Sequence, residues 1–417
     1  MRVFYISSSQ EAHSIRIYDV IIVGAGPAGS SAARVCAKAG LDTLLLDMSL
    51  FPREKLCAGA VSMRSLRLLQ SIGVNIPSQI IERKIFGIQL IGPDWKPLTF
   101  RSRKLLAYTV RRRNFDHFLV KQAIEVGTQF LDNHRVISLD LQKNSVVCQT
   151  SKGSFVGRLI IGGDGVTSRV ARATGLRGRL DATATGICVE VDIPISPNIL
   201  KKKIDPSLLT LWFPWIPLGY FWVFPRRQSL SIGLGGMANI LKNLPRHLRI
   251  LSKRYAKNTG LQIPPLKTID GHPLPATGFT LPIVKNRILL VGDAAGFVDM
   301  FTGQGICYAI ESGILAGKIA IKAFGSQDFN IKILNEYPIL VKRRFGDELN
   351  ASISLAHFIH RHLYGTFRLA KHLHSLSQLI SDLATGHTDY YRMLRNPLRL
   401  FGRLLIAELK ARITRQK

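Results

Sequence analysis

Apolar and polar positions change period several times along the 417-residue chain. Asp19-Val-Ile-Ile-Val23 is a short continuous apolar run, the pattern of a strand buried on both faces. It enters Gly24-Ala-Gly-Pro-Ala-Gly29, then a helical stretch from Ser30 to Gly40, then Thr43-Leu-Leu-Leu-Asp47, which together make one βαβ unit. Short strands follow between Gly87 and Phe100, and Phe115, Leu119 and Ala123 recur at helical spacing within Arg112 to Gly127. Val136 to Thr150 and Ser154 to Gly163 alternate as strands do, and Ala182 to Gly236 reads as a further sheet carrying Trp212, Trp215, Tyr220 and Trp222. The uncharged stretch Leu208 to Phe224 has membrane-spanning length, but Pro214, Pro217 and Gly219 interrupt it, so strands around an apolar cavity are predicted. Arg287-Ile-Leu-Leu-Val-Gly-Asp293 is another buried strand ending at a carboxylate, with a helix starting near Gly305 and a basic helical region beyond Ala323.

This order predicts an α/β fold in which a Rossmann-like nucleotide domain (18–75, 105–175 and 271–325) is interleaved with an antiparallel-sheet substrate domain (76–104 and 176–270). A basic helical C-terminal region covers 326–417. Hydrophobic residues at 46% and charged residues at 20% lie in the globular range. Fifty-seven Lys and Arg against 27 Asp and Glu give a net charge of +30, which points to an anionic partner: phosphate, lipid headgroup or nucleic acid. Cys36, Cys57, Cys148, Cys188 and Cys307 form no CxxC pair, so neither a metal site nor a disulfide framework is predicted and a reducing cytoplasm fits. Met1 to Tyr18 shows no apolar core of a signal peptide.

In the turn Gly24-x-Gly26-x-x-Gly29, the first glycine makes the bend, the second lets backbone approach a pyrophosphate, and the third lets helix and strand pack closely. Asp47 ends the next strand, where a carboxylate accepts from an adenosine ribose hydroxyl. Two later strand ends, Asp164-Gly165 and Gly292-Asp293, extend the contacts to a longer dinucleotide and favour FAD over NAD. Asp293 is then placed to hold the ribityl hydroxyls, Arg112 to reach phosphate or ribose, and the amides near Gly303 and Gly305 to face the flavin.

With these residues in view, the chain resembles the geranylgeranyl reductase family, within the larger group of flavoproteins that includes aromatic hydroxylases. The likeness runs from Tyr18 to Ile319. Its discriminating segments are Phe51-Pro-Arg-Glu-Lys-Leu-Cys57-Ala-Gly59 and Tyr220-Phe-Trp222-Val-Phe224-Pro225. Where the family has Cys-Gly-Gly this chain has Cys57-Ala58-Gly59, and where it has Asp-Pro this chain has Asp299-Met300. The resemblance implies an FAD-dependent reductase acting on a prenyl diphosphate or prenylated lipid. Cys57 would sit beside the flavin, and Tyr220 and Trp222, alternating onto one strand face, would wall a prenyl tunnel. Small-residue and core-packing roles compete for all three. An external donor, NADPH or ferredoxin-like, would supply the electrons.

The basic residues of the tail, Lys342-Arg343-Arg344, Arg361, Arg368, Lys371, Arg392, Arg395, Arg399, Arg403, Lys410 and Arg412, interleave with apolar ones. Peripheral contact with an anionic membrane and an ordinary solvated helix face are equal readings, and nucleic acid is the weaker partner. The histidines at 357, 360, 362, 372 and 374 lack a third ligand and predict no metal. A flavin monooxygenase or halogenase of the same fold is the rival enzyme, and a non-catalytic basic binding protein the rival of another class.

Overall fold

A computed structural model describes residues 16–279, 282–371 and 376–395; Arg399, Arg403, Lys410, Arg412, His372, His374 and the first 15 residues lie outside the described residues. The βαβ unit is present as strand Ile17–Val23, helix Pro27–Lys38 and strand Thr43–Leu46. Ile17–Val23 is flanked by two parallel partners, Thr43–Leu46 and Gly153–Gly162, and Gly153–Gly162 is in turn paired in parallel with Ile288–Leu290. An eight-stranded sheet results, with Val146–Thr150 and Val136–Leu141 as an antiparallel extension. Its central strands are continuous apolar runs because helices cover the sheet: Pro27–Lys38 packs against the long helix Ile306–Ser326, which is buried over most of its length.

A seven-stranded sheet holds, in order, Asp270–Pro275, Thr185–Pro194, Ser229–Met237, Tyr220–Pro225, Leu208–Trp212, Gly87–Ile91 and Pro97–Arg101. All its pairings are antiparallel except that of Leu208–Trp212 with Gly87–Ile91. Because Asp270–Pro275 pairs inside this sheet, the chain rejoins the nucleotide sheet only at Val284–Lys285, later than residue 271. A three-stranded sheet, Ala60–Ser62, Ala107–Val110 and Ile81–Ile85, lies between the two. Pattern reading did not assign the amphipathic helix Leu244–Thr259. Its Leu244, Leu248, Leu251 and Tyr255 recur at helical spacing and close one face of the seven-stranded sheet.

The C-terminal region is helical, as Glu336–Val341, Asp347–Arg361, Leu363–Ala370, Leu376–Thr385 and Tyr390–Arg395. Part of its charge turns inward. Arg344 pairs with the buried Glu311 at 2.8 Å, and Arg64 bridges Glu311 (2.9 Å) and the largely buried Glu348 (2.7 Å). Such charges anchor the region on the nucleotide part, so that stretch is not the free amphipathic face the charge pattern offered. No helix among the described residues is long and apolar enough to cross a membrane.

Candidate functional site

The three fingerprint glycines face different neighbours. A Cβ on Gly24 would lie 2.4 Å from the Gly163 carbonyl oxygen, and one on Gly29 would lie 1.8 Å from the Gly24 carbonyl oxygen, so protein packing alone demands both. A Cβ on Gly26 would meet only Arg53 Nη2, at 3.8 Å. Gly26 caps helix Pro27–Lys38 without any side-chain hydrogen bond, leaving the helix's first amides and the space above them open to an anion. Arg53 borders that space. It pairs with Asp116 at 3.1 Å, while its buried Nη1 has no partner, an orphaned cationic donor of the kind a phosphate satisfies. At the next strand end, Asp47 accepts from the Ala25 N–H at 2.8 Å and the Ser49 N–H at 2.9 Å, which fixes its carboxylate beside the turn.

Arg112 is the buried member of the 111–113 arginine run. It binds Asp116 through two bonds of 2.7 and 2.8 Å, whereas Arg111 and Arg113 stay exposed. Burial opposes the Arg112 charge, but Asp116 and the neighbouring Cys57 thiol hold it charged well above the ordinary range. Its first partner is thus Asp116, and with Arg53 it forms a cationic pair around one buried carboxylate.

Asp293 stands in the turn Gly292–Ala295, and its carboxylate accepts no hydrogen bond among the described residues. Burial pushes that carboxyl up, against the pull of Lys55, Arg112 and Arg177. A carboxylate without a donor of its own, facing three cations, is chemically suited to bind hydroxyls. Asp164 is committed differently: it accepts from Ser168 Oγ (2.5 Å), Arg169 N (2.6 Å) and Val170 N (3.1 Å). Both its oxygens serve the N-terminus of helix Arg169–Ala173, so Asp164 shapes the turn instead of presenting a free carboxylate. Gly165, at φ +81°, leaves open space beside that turn.

Gly303, at φ +68°, would put a Cβ 2.8 Å from the Tyr220 hydroxyl, and its amide donates to the Asp299 carbonyl at 2.8 Å. It therefore makes room for Tyr220 rather than offering an amide; Gly305, which caps helix Ile306–Ser326 with no side-chain bond, keeps that possibility. Where the family has proline, Met300 donates its N–H to Ser352 Oγ at 3.1 Å, a bond proline cannot make. This ties the glycine-rich turn to helix Asp347–Arg361.

Tyr220, Trp222 and Phe224 project from one strand face onto Leu56, Ala58 and Ala60, the residues flanking Cys57, with Cys188, Leu209 and Leu211 alongside. The Tyr220 hydroxyl donates to the Thr302 carbonyl oxygen. Cys57 itself is half-buried at the edge of a neighbouring cluster with Val61, Val110, Phe115 and Ile306, its sulfur accepting from the Gly59 N–H at 3.4 Å. Burial, then Asp299, Cys188 and Cys57, push the Tyr220 phenol up, so it stays neutral beside the residues that flank Cys57. A cleft of about 620 Å³, lined by Trp215, His357, His360, Arg361 and Tyr364 among others, opens near it. Phe213 links the two, with its ring 5.9 Å from His360 and 5.8 Å from Tyr220.

Six polar residues at the site escaped pattern reading: Arg53, Lys55, Arg177, Glu190, Arg226 and His272. Arg53 and Lys55 lie in the cysteine segment and Arg226 directly follows Pro225, so position in the motifs was the available signal. Glu190 was marked as the one acid within the apolar run Ile187–Val191. Lys55 Nζ meets His272 Nε2, and burial, then Lys55, Arg112 and Arg53, lower the His272 imidazole to about 4, leaving it neutral.

A family model described as an FAD binding domain matches residues 17–323. Digeranylgeranylglycerophospholipid reductase 1 of Methanococcoides burtonii is 30% identical over 349 residues, covering 80% of this chain and 81% of that protein. The solved structure of a geranylgeranyl bacteriochlorophyll reductase-like protein from Thermoplasma acidophilum superposes with a TM-score of 0.74 at 25% identity, over 83% of this chain and 88% of the other. A flavin-dependent brominase reaches 0.72 at 16% identity, over 93% of this chain and 100% of the other, a likeness of fold alone.

Proposed function

The chain belongs to the FAD binding domain family and, within it, to the digeranylgeranylglycerophospholipid reductases, and from that premise we propose that it saturates the double bonds of prenyl chains carried on a lipid. It is an FAD-dependent oxidoreductase. The unpartnered Gly26 helix end and orphaned Arg53 Nη1 fit a pyrophosphate, and the free Asp293 carboxylate fits hydroxyls, so the residues present suit the cofactor. Bound and reduced, FAD supplies the hydride.

The observation that carries this reading is the meeting of Tyr220 and Trp222 with the residues flanking Cys57 in one apolar cluster. An unactivated alkene develops cationic character as it is reduced and must be kept from water. The aromatic wall excludes that water and holds the chain, and Cys57 governs proton delivery to the alkene carbon. The cleft beside Phe213 takes in the chain while Arg361 on its lining holds an anionic head. Functionally the chain divides into the nucleotide sheet with its helices, the seven-stranded sheet as substrate unit, and the helical C-terminal region. Electrons come from an external donor, NADPH or a ferredoxin-like protein, and the basic surface favours work at an anionic membrane.

Mass spectrometry of a digeranylgeranyl glycerophospholipid incubated anaerobically with the chemically reduced, FAD-loaded protein tests the reading. Products heavier by two hydrogens per double bond are expected. Unaltered lipid, with oxygenated product appearing only in air, would transfer the chain to the monooxygenase type.

A further inference from the structure

Among the described residues Glu190 is the one buried carboxylate on the strand face that carries Trp222 and Cys188, and it is more than nine-tenths buried. Its Oε1 accepts from Ser231 Oγ at 2.6 Å and from Arg226 Nη2 at 3.3 Å. Its Oε2 is buried with no partner. Ser231 Oγ in turn accepts from the Trp222 indole N–H at 3.2 Å, so the carboxylate is joined through one hydroxyl to the aromatic wall. Arg226 Nη2 also donates to the Cys57 carbonyl oxygen at 3.2 Å, and Nη1 pairs at 3.0 Å with Asp192, which reaches solvent.

A buried carboxylate is costly to keep unless charge or proton transfer is required of it, and a purely structural pair would satisfy both oxygens. We propose that Glu190 is the proton-holding residue behind Cys57, acting as a positioning residue that restores the thiol between turnovers. This rests on the reductase reading. The proton that leaves the Cys57 S–H goes to the alkene carbon. The resulting thiolate takes the proton of the Glu190 carboxyl, and the carboxylate left behind is held by Arg226 and Ser231. Solvent returns a proton to it along the Asp192 edge. Burial raises the Glu190 carboxyl above the usual carboxylate range, against the pull of Arg226 and Ser231, which suits a group that must be protonated part of the time. The charged and titratable groups around it are Arg226 from the adjoining hairpin, Asp192 and Cys188 on its own strand, Cys57 and Lys55 on the loop, and His272 and Asp270 on the neighbouring strand, while the Cys57 thiol also faces Arg112. Of these, Arg226 and Lys55 favour its ionised form, Asp192 opposes it, and neutral His272 does neither.

The test uses full-length, FAD-loaded protein and the variants Glu190→Gln and Glu190→Ala. Glutamine keeps the volume and the Ser231 bond, so a structural role survives it and a proton-holding role does not. The first readout is the pH dependence of Cys57 alkylation by iodoacetamide, mapped by peptide mass; the other four cysteines are buried. Loss of the neighbouring carboxyl in Glu190→Gln should speed Cys57 labelling at a fixed neutral pH by about threefold or more. The second is anaerobic single turnover, expected to slow at least about tenfold in Glu190→Gln and to lose its pH dependence. A Glu190→Gln protein with wild-type labelling and a wild-type turnover profile would overturn the proposal, even if Glu190→Ala fails to fold. If wild-type protein saturates no alkene, the reductase reading fails, and the labelling profile still decides whether Glu190 controls the Cys57 proton.

Discussion

The seven-stranded sheet shows two faces built from the same residue types with different outcomes. On one, Trp212, Phe221, Val223, Leu230, Ile232 and Leu234 interlock with Leu248, Leu251 and Tyr255 of helix Leu244–Thr259. On the other, Tyr220, Trp222 and Phe224 meet Cys188, Leu209 and the Cys57 loop. Strand alternation alone separates them, since residues 220, 222 and 224 point one way and 221 and 223 the other. What distinguishes the faces is the polar atoms. The Trp212 indole nitrogen is buried with no partner, whereas that of Trp222 is bonded to Ser231 and through it to Glu190. One face stores packing energy, and the other carries a connected set of hydrogen bonds to a site. Aromatic content therefore does not mark the functional face; the polar groups interleaved with the aromatics do.

Truncating one aromatic on each face separates the two roles. Phe221→Ala should cost about 3–5 kcal/mol of stability, read by denaturant unfolding, with the turnover of the remaining folded enzyme near wild type. Trp222→Ala should do the converse: a smaller loss of stability, retained FAD, and at least about a tenfold fall in kcat/KM or an altered chain-length preference. Equal stability losses with unchanged product patterns would mean that both faces are ordinary core. Gly233→Ala keeps the indole but displaces it, because a Cβ there would lie 2.0 Å from Trp222 Cζ2. It should reproduce the catalytic defect of Trp222→Ala.

Gly26→Val separates cofactor from fold in the same spirit. Its Cβ meets no protein atom closer than 3.8 Å, so the chain should fold and lose FAD, read as flavin absorbance per mole of purified protein. Full occupancy would mean that this turn does not hold the pyrophosphate. Smallest is a pH effect at the edge of the site. His272 is lowered to about 4 in the fold by burial and by Lys55, below the roughly 6.5 of an unfolded histidine. The folded state then takes up its proton later than the unfolded chain, so this stability is fully present above pH about 6.5 and declines as pH falls towards 4. In His272→Gln that part of the acid-side decline should be absent, as thermal melts at pH 7 and pH 5 would show.

Much of this was legible in the sequence. The fingerprint glycines, Asp47 and the alternation at Tyr220 and Trp222 follow from local periodicity and turn chemistry, which sequence carries directly. Asp164 and Gly303 read as ligand contacts because their motifs end strands or open turns, yet the bonds that engage them come from atoms a few residues away whose direction only the folded turn fixes. Glu190 and Arg226 lie 36 positions apart, and nothing in either neighbourhood announces that a hairpin brings them together beneath Cys57. Long-range polar pairing has no period, and this is why it stayed hidden.

In this enzyme the electrons held by the flavin go into an alkene and not into oxygen. Anaerobic stopped-flow mixing of the reduced, FAD-loaded protein with a digeranylgeranyl glycerophospholipid tests it most directly. The oxidised-flavin absorbance should return without oxygen, one flavin reoxidised for each double bond lost from the lipid. A flavin that stays reduced beside the lipid until oxygen is admitted would contradict it.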